Sequence, residues 1–344
     1  MTMWGIHNDT LGAELVDKGF VSIGWEEIPD LRRVDPSQES LKELVGRTYP
    51  GAKPGAVPVW AGILRRFAFE MERGDIIIAP YKPDRTLNFG VVDGDYEYVA
   101  TAPRHPHRRP VRWLRTGVAR GLFPQAALYE IGSAVTLFHV KKHADVFTAF
   151  LASGSEAEFE QRSHTPPTEA DGAASETSVE GEPNAERIEQ HTADFVLRTL
   201  LRELSHEEFE HFTADLLRTM GYTARVTPYT SDGGVDVIAH KDPLGLEPPL
   251  IKVQCKHTPA TQSRPDVQRL IGTLAVGEVG LFVTLGSFSK DAMDVERERQ
   301  NLRLFSGADI TRLTLDHYSE LPAMWRDRMP LRPLLVVDLP PEAQ

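Results

Sequence analysis

Hydrophobic positions in the C-terminal part of the chain follow helical and strand periodicities in turn. The apolar residues at helical spacing are Phe209, Phe212, Leu216 and Met220. The runs TARVTPY, VDVIAH, LIKVQCKH and VGLFVTLGSF are typical of short strands. Ser205 with Glu208 predicts a helix capping box, and Gly221 predicts the end of that helix. The order α-β-β-β-α-β-α predicts a layered α/β domain over 192–330.

The first 150 residues carry mostly strand-like patterns and few helical ones. GFVSIGW at 19–25 alternates as a strand does, and VWAGILRRFAFEM at 59–71 has helical spacing. FGVVDGDYEYV at 89–99 predicts a hairpin that turns at Asp93 and Gly94. Several strands with few helices predict an α+β domain built on a small curled sheet or barrel.

A hydrophilic stretch separates these two regions. Residues 151–190 carry ten acidic and two basic side chains, a net charge of −8 within the −12 of the whole chain. Such a segment buries too little apolar surface to offset the entropy lost on ordering it. The sequence therefore predicts a flexible acidic linker over 151–191, between domains at 1–150 and 192–330, with a tail at 331–344.

Composition narrows the cellular setting. The chain has 344 residues, and 41% of them are hydrophobic, which is enough for two modest cores. The single cysteine, Cys255, excludes an internal disulfide and favours a reducing compartment. We see no long apolar run and no signal-like N-terminus, so we expect a cytoplasmic protein with no membrane partner. Residues 104–120 contain six arginines and no acid, so the negative net charge does not exclude nucleic acid.

The stretch LIKVQCKH has two chemically different faces, because side chains alternate across a strand. One face holds Ile251, Val253 and Cys255, and the other holds Lys252, Gln254 and Lys256. If the preceding strand is its neighbour, Asp236 meets Gln254 and Lys256, and the Gly233-Gly234 pair allows the turn before it. An anionic oxygen, an amide oxygen and an ammonium suit Mg²⁺-assisted cleavage of a phosphodiester. Glu210, on the helix before, adds a carboxylate.

Taken singly, these residues have simpler interpretations. An Asp after a glycine pair is often only a turn residue, and a Gln-x-Lys strand is usually the solvated face of an edge strand. Lys252 has no chemistry that we can assign, and Cys255 is expected in the core.

Together, these stretches resemble a nuclease family. FEHFTADLLRTMGY, DGGVDVIAH, IKVQCKH and LIGTLAVGEVGLFVTLGSFSKDA, within 204–318, look like the catalytic domain of Mrr-family restriction endonucleases of the PD-(D/E)xK superfamily. The resemblance implies a restriction-endonuclease-like α/β core that cuts DNA with Mg²⁺, with Mn²⁺ as the alternative. It carries over Glu210, Asp236, Gln254 and Lys256 as catalytic residues, the first three as metal ligands. Gln254 replaces the acid of the wider superfamily, as is usual in this family.

Residues 1–150 do not resemble the winged-helix domain that commonly precedes this nuclease. GFVSIGW, WAGILRRFAFEMERGDIIIAPY, FGVVDGDYEY and HRRPVRWL resemble instead the PUA superfamily, nearest to EVE-like and YTH-like domains, which hold a modified base in an aromatic pocket. A flipped base needs aromatic faces and a few polar groups at its edge. The candidate pocket residues are Trp25, Trp60, Tyr81, Trp4, Ser22 and Asn88. The candidate contacts to the DNA backbone are Arg104, Arg108, Arg109, Arg112 and Arg115. The competing interpretation places the aromatic residues in a core and the arginines in solvent.

These resemblances predict a modification-dependent, type IV-like restriction endonuclease that acts on modified double-stranded DNA. Cutting both strands requires two nuclease units, so we expect a homodimer or a DNA-induced dimer. The alternatives are a repair or recombination nuclease that recognises damaged or structured DNA, and a DNA-binding protein that does not cleave. The sequence does not choose among 5-substituted cytosine, N6-methyladenine and phosphorothioate linkages.

Overall fold

The chain folds into two compact units, seen in a computed structural model. The structure describes residues 1–8, 11–53, 55–81, 84–133, 135–163, 185–227, 234–242 and 245–335. The first unit comprises Met1–Thr116 and Ala126–Ala152, and the second comprises Gly117–Gln125 and the described residues of 153–335. The two-domain architecture is as predicted.

The predicted linker and tail fall largely outside the described residues, which leave out 164–184 and 336–344. At both ends of the predicted linker the chain is helical. The second unit also begins earlier than the expected boundary, because it takes in Gly117–Gln125 and the helix that follows residue 155.

The first unit is built on a seven-stranded sheet with the strand order β2-β6-β4-β3-β1-β7, and β5 pairs with β6. Its strands are β1 (Met3–Ile6), β2 (Phe20–Ile23), β3 (Ile76–Tyr81), β4 (Thr86–Val92), β5 (Glu97–Tyr98), β6 (His107–Ala119) and β7 (Leu137–His139). Its helices are α1 (Glu14–Lys18), α2 (Gln38–Thr48), α3 (Ala56–Arg65), α4 (Gln125–Ile131) and α5 (Ala144–Ala152). A π-helical turn, Arg66–Glu70, extends α3.

The predicted hairpin at 89–99 is wrong. β4 lies between β3 and β6 in the sheet, whereas β5 pairs with β6, with Glu97 opposite Arg108. After β4 the chain is held against β6, because the amide of Asp93 donates to the carbonyl of Pro110. Gly94 packs on the same proline, whose ring lies 2.6 Å from where a Cβ would stand. The Asp-Gly turn therefore directs the chain onto a distant strand and does not close a local hairpin.

The second unit places helices on both faces of a five-stranded sheet with the order β12-β11-β10-β9-β8. The strands are β8 (Thr223–Val226), β9 (Val237–His240), β10 (Ile251–Lys256), β11 (Val279–Thr284) and β12 (Leu302–Phe305). The helices are α6 (Glu156–Ser163), α7 (Ala185–Arg202), α8 (His206–Thr219), α9 (Arg264–Ile271), α10 (Lys290–Glu298), α11 (Gly307–Asp316) and α12 (Ala323–Arg328). The capping box of Ser205 and Glu208 forms as predicted. The patterns did not predict β12, α11 or α12.

Two apolar layers enclose this sheet. On one face, Val253 and Cys255 of β10 pack in the same cluster as Phe209 and Phe212 of α8. On the other face, Phe282 of β11 packs with side chains of α9 and α10. Because β10 is central and covered on both faces, any polar group on it needs a specific partner. No helix among the described residues is long and apolar enough to cross a membrane.

The carboxylate of Asp75 ties the start of the chain to the first sheet. It accepts hydrogen bonds from the amide of Thr2 at 2.6 Å, the indole of Trp4 at 2.9 Å and the amide of Glu72 at 3.1 Å. Asp75 is 5% exposed, so solvent does not replace a lost bond.

We expect Asp75→Asn to lower the free energy of unfolding by about 1–3 kcal/mol, because the new amide group faces buried donors. Chemical denaturation of the full chain measures the change. The matched control is Asp93→Asn, at an exposed carboxylate, which should leave stability unchanged. Equal effects of the two substitutions would contradict this account.

Candidate functional site

The polar residues of the second unit meet where β9 runs antiparallel to β10. The pairing sets Val237 opposite Val253 and Ile238 opposite Lys252. Asp236 precedes β9, and its amide donates to the carbonyl of Val253 at 2.8 Å while its carboxylate accepts the amide of Cys255, so Asp236 lies beside this segment of β10. The predicted neighbour relation of these two strands is confirmed.

The side-chain oxygens of Asp236 and Gln254 differ in their hydrogen bonding. One carboxylate oxygen of Asp236 accepts the amide of Cys255 at 2.7 Å. Gln254 is 6% exposed, and its Oε1 is buried without a hydrogen-bond partner among the described residues. A buried, unpaired amide oxygen costs free energy, and in a native structure it calls for an explanation.

Gly234 makes room for the amide group of Gln254. A Cβ at this position would lie 2.9 Å from Nε2 of Gln254, and the φ of +86° is one that other residues rarely adopt. Gly233, the other glycine of the predicted pair, lies outside the described residues.

Glu210 brings a second carboxylate to this place from α8. It is 9% exposed, and its Oε1 lies 3.2 Å from Nε2 of His206, one helical turn earlier. Burial raises the pKa of Glu210, and the nearby charge of Asp236 raises it further. Burial also raises the pKa of Asp236, although the hydrogen bond from Cys255 and the charges of His206 and Lys256 oppose the rise. For both carboxylates, therefore, neighbouring groups do not fully offset the cost of burying the negative charge.

This donor set fits a hard divalent cation. Two carboxylates with raised pKa values and an unpaired amide oxygen are oxygen ligands of the kind that Mg²⁺ takes. Within the described ranges, no group of three His, Cys, Asp or Glu residues could hold a metal. The site would rely on the amide of Gln254 as well as on carboxylates.

Lys252 and Lys256 share a strand face but have different surroundings. Lys256, at the end of β10, is half-buried and contributes to the electrostatics of Asp236. Lys252 donates to the carboxylate of Glu278 and to the carbonyl of Thr273, both at 2.7 Å. The hydrogen bond from Lys252 lowers the pKa of Glu278. Lys252 therefore joins β10 to the segment after α9 and lies outside the cluster.

Two histidines flank the cluster. Nε2 of His257 lies 2.9 Å from the carbonyl of Leu200, and its ring packs on Phe209. Sequence reasoning missed His206, although its spacing of four from Glu210 places both on one face of α8.

In the first unit, Trp25 combines two unusual features. Its φ is +63°, which is strained for a bulky residue. It is 7% exposed, and its indole Nε1 is buried without a hydrogen-bond partner among the described residues. Trp60 lies edge-on to it with ring centroids 6.1 Å apart, and Tyr49 lies edge-on to Trp60 at 5.7 Å. The structure therefore groups Trp25 with Trp60 and adds Tyr49.

A buried polar network supports Trp25. Its carbonyl lies 3.3 Å from Nε2 of His107, and Nδ1 of His107 lies 2.6 Å from the hydroxyl of Tyr96. Burial lowers the pKa of His107 to about 4, so the ring is neutral. Tyr96 accepts the amide of Leu31 and can donate to Nδ1, which leaves Nε2–H to donate to Trp25.

Ser22 belongs to a second cluster beside this network. It is fully buried, and its hydroxyl accepts a hydrogen bond of 2.6 Å from Asn8. The same amide of Asn8 lies 3.2 Å from Nδ1 of His105, which also has a positive φ, of 51°. Sequence reasoning missed Asn8, Tyr96, His105 and His107, because only the pairing of β2 with β6 brings His107 and Ser22 into one region.

The remaining pocket candidates have packing contacts. Trp4 is 1% exposed, and its indole donates to Asp75. Asn88 is buried, and its amide lies 3.5 Å from the carbonyl of Ala79 on β3. Tyr81 is half-buried at the end of β3. None of these contacts involves Trp25.

The arginines of the predicted backbone-binding group do not share one face. Arg104 and Arg112 are exposed, and Arg108 lies 4.2 Å above the ring of Phe20. Arg115 lies over the ring of Phe150. Arg109 is 4% exposed, and its guanidinium donates to the carbonyls of Phe67, Ala68 and Gly94. Arg109 thus caps the end of the helical segment before β3 and points away from the exposed Arg112, because alternate side chains on β6 face opposite ways.

Sequence comparison gives a match in each half of the chain. Residues 201–314 match the Mrr_cat family, described as a restriction endonuclease, and residues 1–126 match a family described as a domain of unknown function. A type IV methyl-directed restriction enzyme of Escherichia coli (strain K12), EcoKMrr, is 32% identical over 132 residues, which are 36% of this chain and 42% of that enzyme. The chain thus spans less than half of this curated relative.

Two solved structures show a distant likeness. One is the MspJI restriction endonuclease in complex with a 27-mer oligonucleotide, with 16% identity, a TM-score of 0.32, and coverage of 79% of this chain and 69% of that chain. The other is AspBHI, a DNA modification-dependent restriction endonuclease, with 16% identity, a TM-score of 0.33, and coverage of 79% and 70%.

The family match agrees with the extent of the resemblance in the sequence, 204–318. It contains Glu210, Asp236, Gln254 and Lys256. Residues 201–314 are therefore a restriction endonuclease domain of the Mrr family.

Proposed function

We propose that the protein is a modification-dependent restriction endonuclease in which the second unit cuts DNA and the first recognises a modified base. The observation that supports nuclease activity is the unpaired oxygen of Gln254 beside two carboxylates whose pKa values are raised. This is a cation site within a domain of a restriction endonuclease family. We assign the core to the PD-(D/E)xK type and the activity to the cytoplasm.

The cluster suits hydrolysis of a phosphodiester. Asp236, Gln254 and Glu210 would hold Mg²⁺, or Mn²⁺ in its place, and the bound ion would polarise the phosphoryl group. Lys256 orients the attacking water and stabilises the negative charge that develops on the phosphoryl oxygens. The water oxygen bonds to phosphorus while the bond to the leaving sugar oxygen breaks, and the leaving oxygen takes up a proton.

We propose that the first unit is a PUA-like or EVE-like domain in which Trp25 and Trp60 lie beside the modified base. Two residues with positive φ contact buried polar groups, Trp25 at His107 and His105 at Asn8, and such strain clusters at functional sites. The indole N–H of Trp25 would donate to an acceptor on the base. Arg104, Arg108 and Arg112 would contact DNA phosphates, whereas Arg109 supports the fold.

Double-strand cleavage by this enzyme would use two nuclease units, in a homodimer or in a dimer formed on DNA. The test of the whole proposal is cleavage of one plasmid in several forms, with Mg²⁺. The forms are unmodified, or carry 5-substituted cytosine, N6-methyladenine or phosphorothioate linkages. We expect cutting of one modified form only. Equal cutting of all forms would exclude modification dependence, and no cutting with either metal ion would exclude the nuclease.

We expect Lys256→Ala and Asp236→Ala each to abolish cleavage and to leave DNA binding intact. Their side chains act at the scissile phosphate, whereas the first unit supplies most of the affinity. Gel-shift titration and plasmid cleavage measure the two properties separately. The control is Lys252→Ala, whose ion pair with Glu278 lies outside the cluster. If either site variant still cuts, the catalytic site is misplaced.

We expect Glu210→Gln to stabilise the metal-free protein at pH 8. A carboxylate whose pKa is raised in the fold contributes stability below its ordinary pKa and loses that contribution as the pH rises through the raised value. At pH 8 the ionised Glu210 therefore opposes folding, and its removal should raise the melting temperature by a few degrees.

Thermal melts in a chelator and in Mg²⁺ measure this effect. Mg²⁺ should stabilise the wild type more than Glu210→Gln, because the variant has lost a ligand. Glu298→Gln, at an exposed position on α10, is the matched control. If Mg²⁺ stabilises Glu210→Gln as much as the wild type, Glu210 is not a metal ligand.

We expect Trp25→Phe to reduce the preference for modified over unmodified duplex by roughly 2- to 10-fold, the worth of one hydrogen bond. The variant keeps an aromatic face and loses only the N–H donor. Equilibrium binding with a cleavage-dead enzyme measures the ratio. Trp113→Phe is the control, because that indole donates to the carbonyl of Leu15. An unchanged ratio in Trp25→Phe would show that the donor does not read the base.

A further inference from the structure

The chain leaves the nuclease site through residues 257–262, here called the exit loop, which follow Lys256 directly. Nε2 of His257 lies 2.9 Å from the carbonyl of Leu200 on α7, and the amide of Thr258 donates back to the carbonyl of Lys256 at 2.9 Å. Any displacement of the exit loop therefore acts on the end of β10. Its position matters for Lys256, because the exit loop continues directly from that residue, the last of β10.

Residues that precede 201–314, the match to the nuclease family, contact the exit loop. Glu156 of α6 accepts the amide of Thr261 at 2.7 Å and the hydroxyl of Thr261 at 3.1 Å. The same hydroxyl lies 2.9 Å from that of Ser287, which donates to the carbonyl of Gly117 at 2.6 Å. These contacts join the exit loop, the end of β11 and residue 117.

Gly117–Gln125, here called the strap, is seated on α7 by a buried ion pair. Arg120 donates to both carboxylate oxygens of Asp194, at 2.9 Å and 2.7 Å, and the two side chains are 5% and 3% exposed. Gln190 also donates to Asp194, at 2.9 Å. A bidentate, fully desolvated pair fixes geometry tightly, and removing one partner leaves an uncompensated buried charge.

The strap also touches the exit loop with its backbone. A Cβ on Gly121 would lie 3.2 Å from Leu201 and 3.6 Å from Pro259, so a glycine lets the strap lie close to both. The ring of Phe123 packs at 5.7 Å from that of Phe159, which links the strap to α6. The strap and α6 thus enclose the exit loop together with α7.

We infer that Glu156 and the strap, seated by Arg120 and Asp194, are positioning elements that hold the exit loop and thereby keep Lys256 in place against Asp236. All three of these residues lie outside 201–314, the residues that match the nuclease family. The inference rests on the proposed nuclease function of Lys256. Since a displacement of about 1 Å can cost a hundredfold in rate, a loosened exit loop should slow cleavage without weakening DNA binding.

The test compares Glu156→Gln and Thr261→Val in the full chain. Glu156→Gln keeps the shape of the side chain and removes the charge that accepts the amide of Thr261. Thr261→Val removes the hydroxyl and keeps the shape. The control is Glu158→Gln, two residues along the same helix, whose carboxylate bonds to Gly154 and Arg162. Single-turnover cleavage at saturating DNA, DNA affinity and amide exchange over 257–262 are measured for each.

We expect each test variant to lower the saturated cleavage rate by about tenfold or more, with affinity within twofold of wild type and faster amide exchange in the exit loop. Glu158→Gln should behave as wild type. If Glu156→Gln does not fold, Thr261→Val decides the question.

An unchanged rate in the folded variants overturns the inference, whatever happens to the melting temperature. Reduced affinity with an unchanged saturated rate overturns it too, as does an equal loss of rate in the control. A wild-type protein that cuts no DNA, or a Lys256→Ala variant that still cuts, would instead contradict the proposed function.

Discussion

The nuclease site depends on one register, that of β9 against β10. This register pairs Val237 with Val253 and so brings Asp236, the residue before β9, against the part of β10 that carries Gln254. A slip of one residue would turn both side chains to the opposite face. Asp236 accepts the amide of Cys255, whereas the side-chain oxygen of Gln254 has no hydrogen-bond partner in the part of the chain that the structure describes. The fold thus keeps a set of oxygens that only a cation or a donor can satisfy.

In the first unit, the energetically unfavourable features are backbone strain and an unpaired side-chain donor. Trp25 carries a strained backbone and an unpaired indole, and a buried network through His107 and Tyr96 keeps it there. Such strain persists only where neighbouring contacts leave the residue no other conformation. In each unit, therefore, one residue of the predicted site, Trp25 or Gln254, carries a buried polar atom without a partner among the described residues and lies among hydrogen-bonded neighbours. This is the arrangement expected of sites that are preorganised before a ligand arrives.

The limits of the family match and of the compact unit do not coincide. Residues 201–314 carry the catalytic residues, yet the second unit also contains α6, α7 and Gly117–Gln125. Arg120 and Asp194 explain the difference, because a buried ion pair ties these pieces into one unit. β6 extends from His107 to Ala119, so it begins in the first unit and ends in the second.

Local patterns sufficed for much of the second unit. The capping box at Ser205, the alternation along β10 and the pairing of β9 with β10 could be predicted, because each depends on spacing within a short stretch or on one strand pair. Partners far along the chain could not. Lys252 forms an ion pair with Glu278, and the buried Arg109 donates to a helix carbonyl. The chain after the Asp93-Gly94 turn pairs with β6. These outcomes depend on long-range pairing and burial, which only the tertiary structure decides.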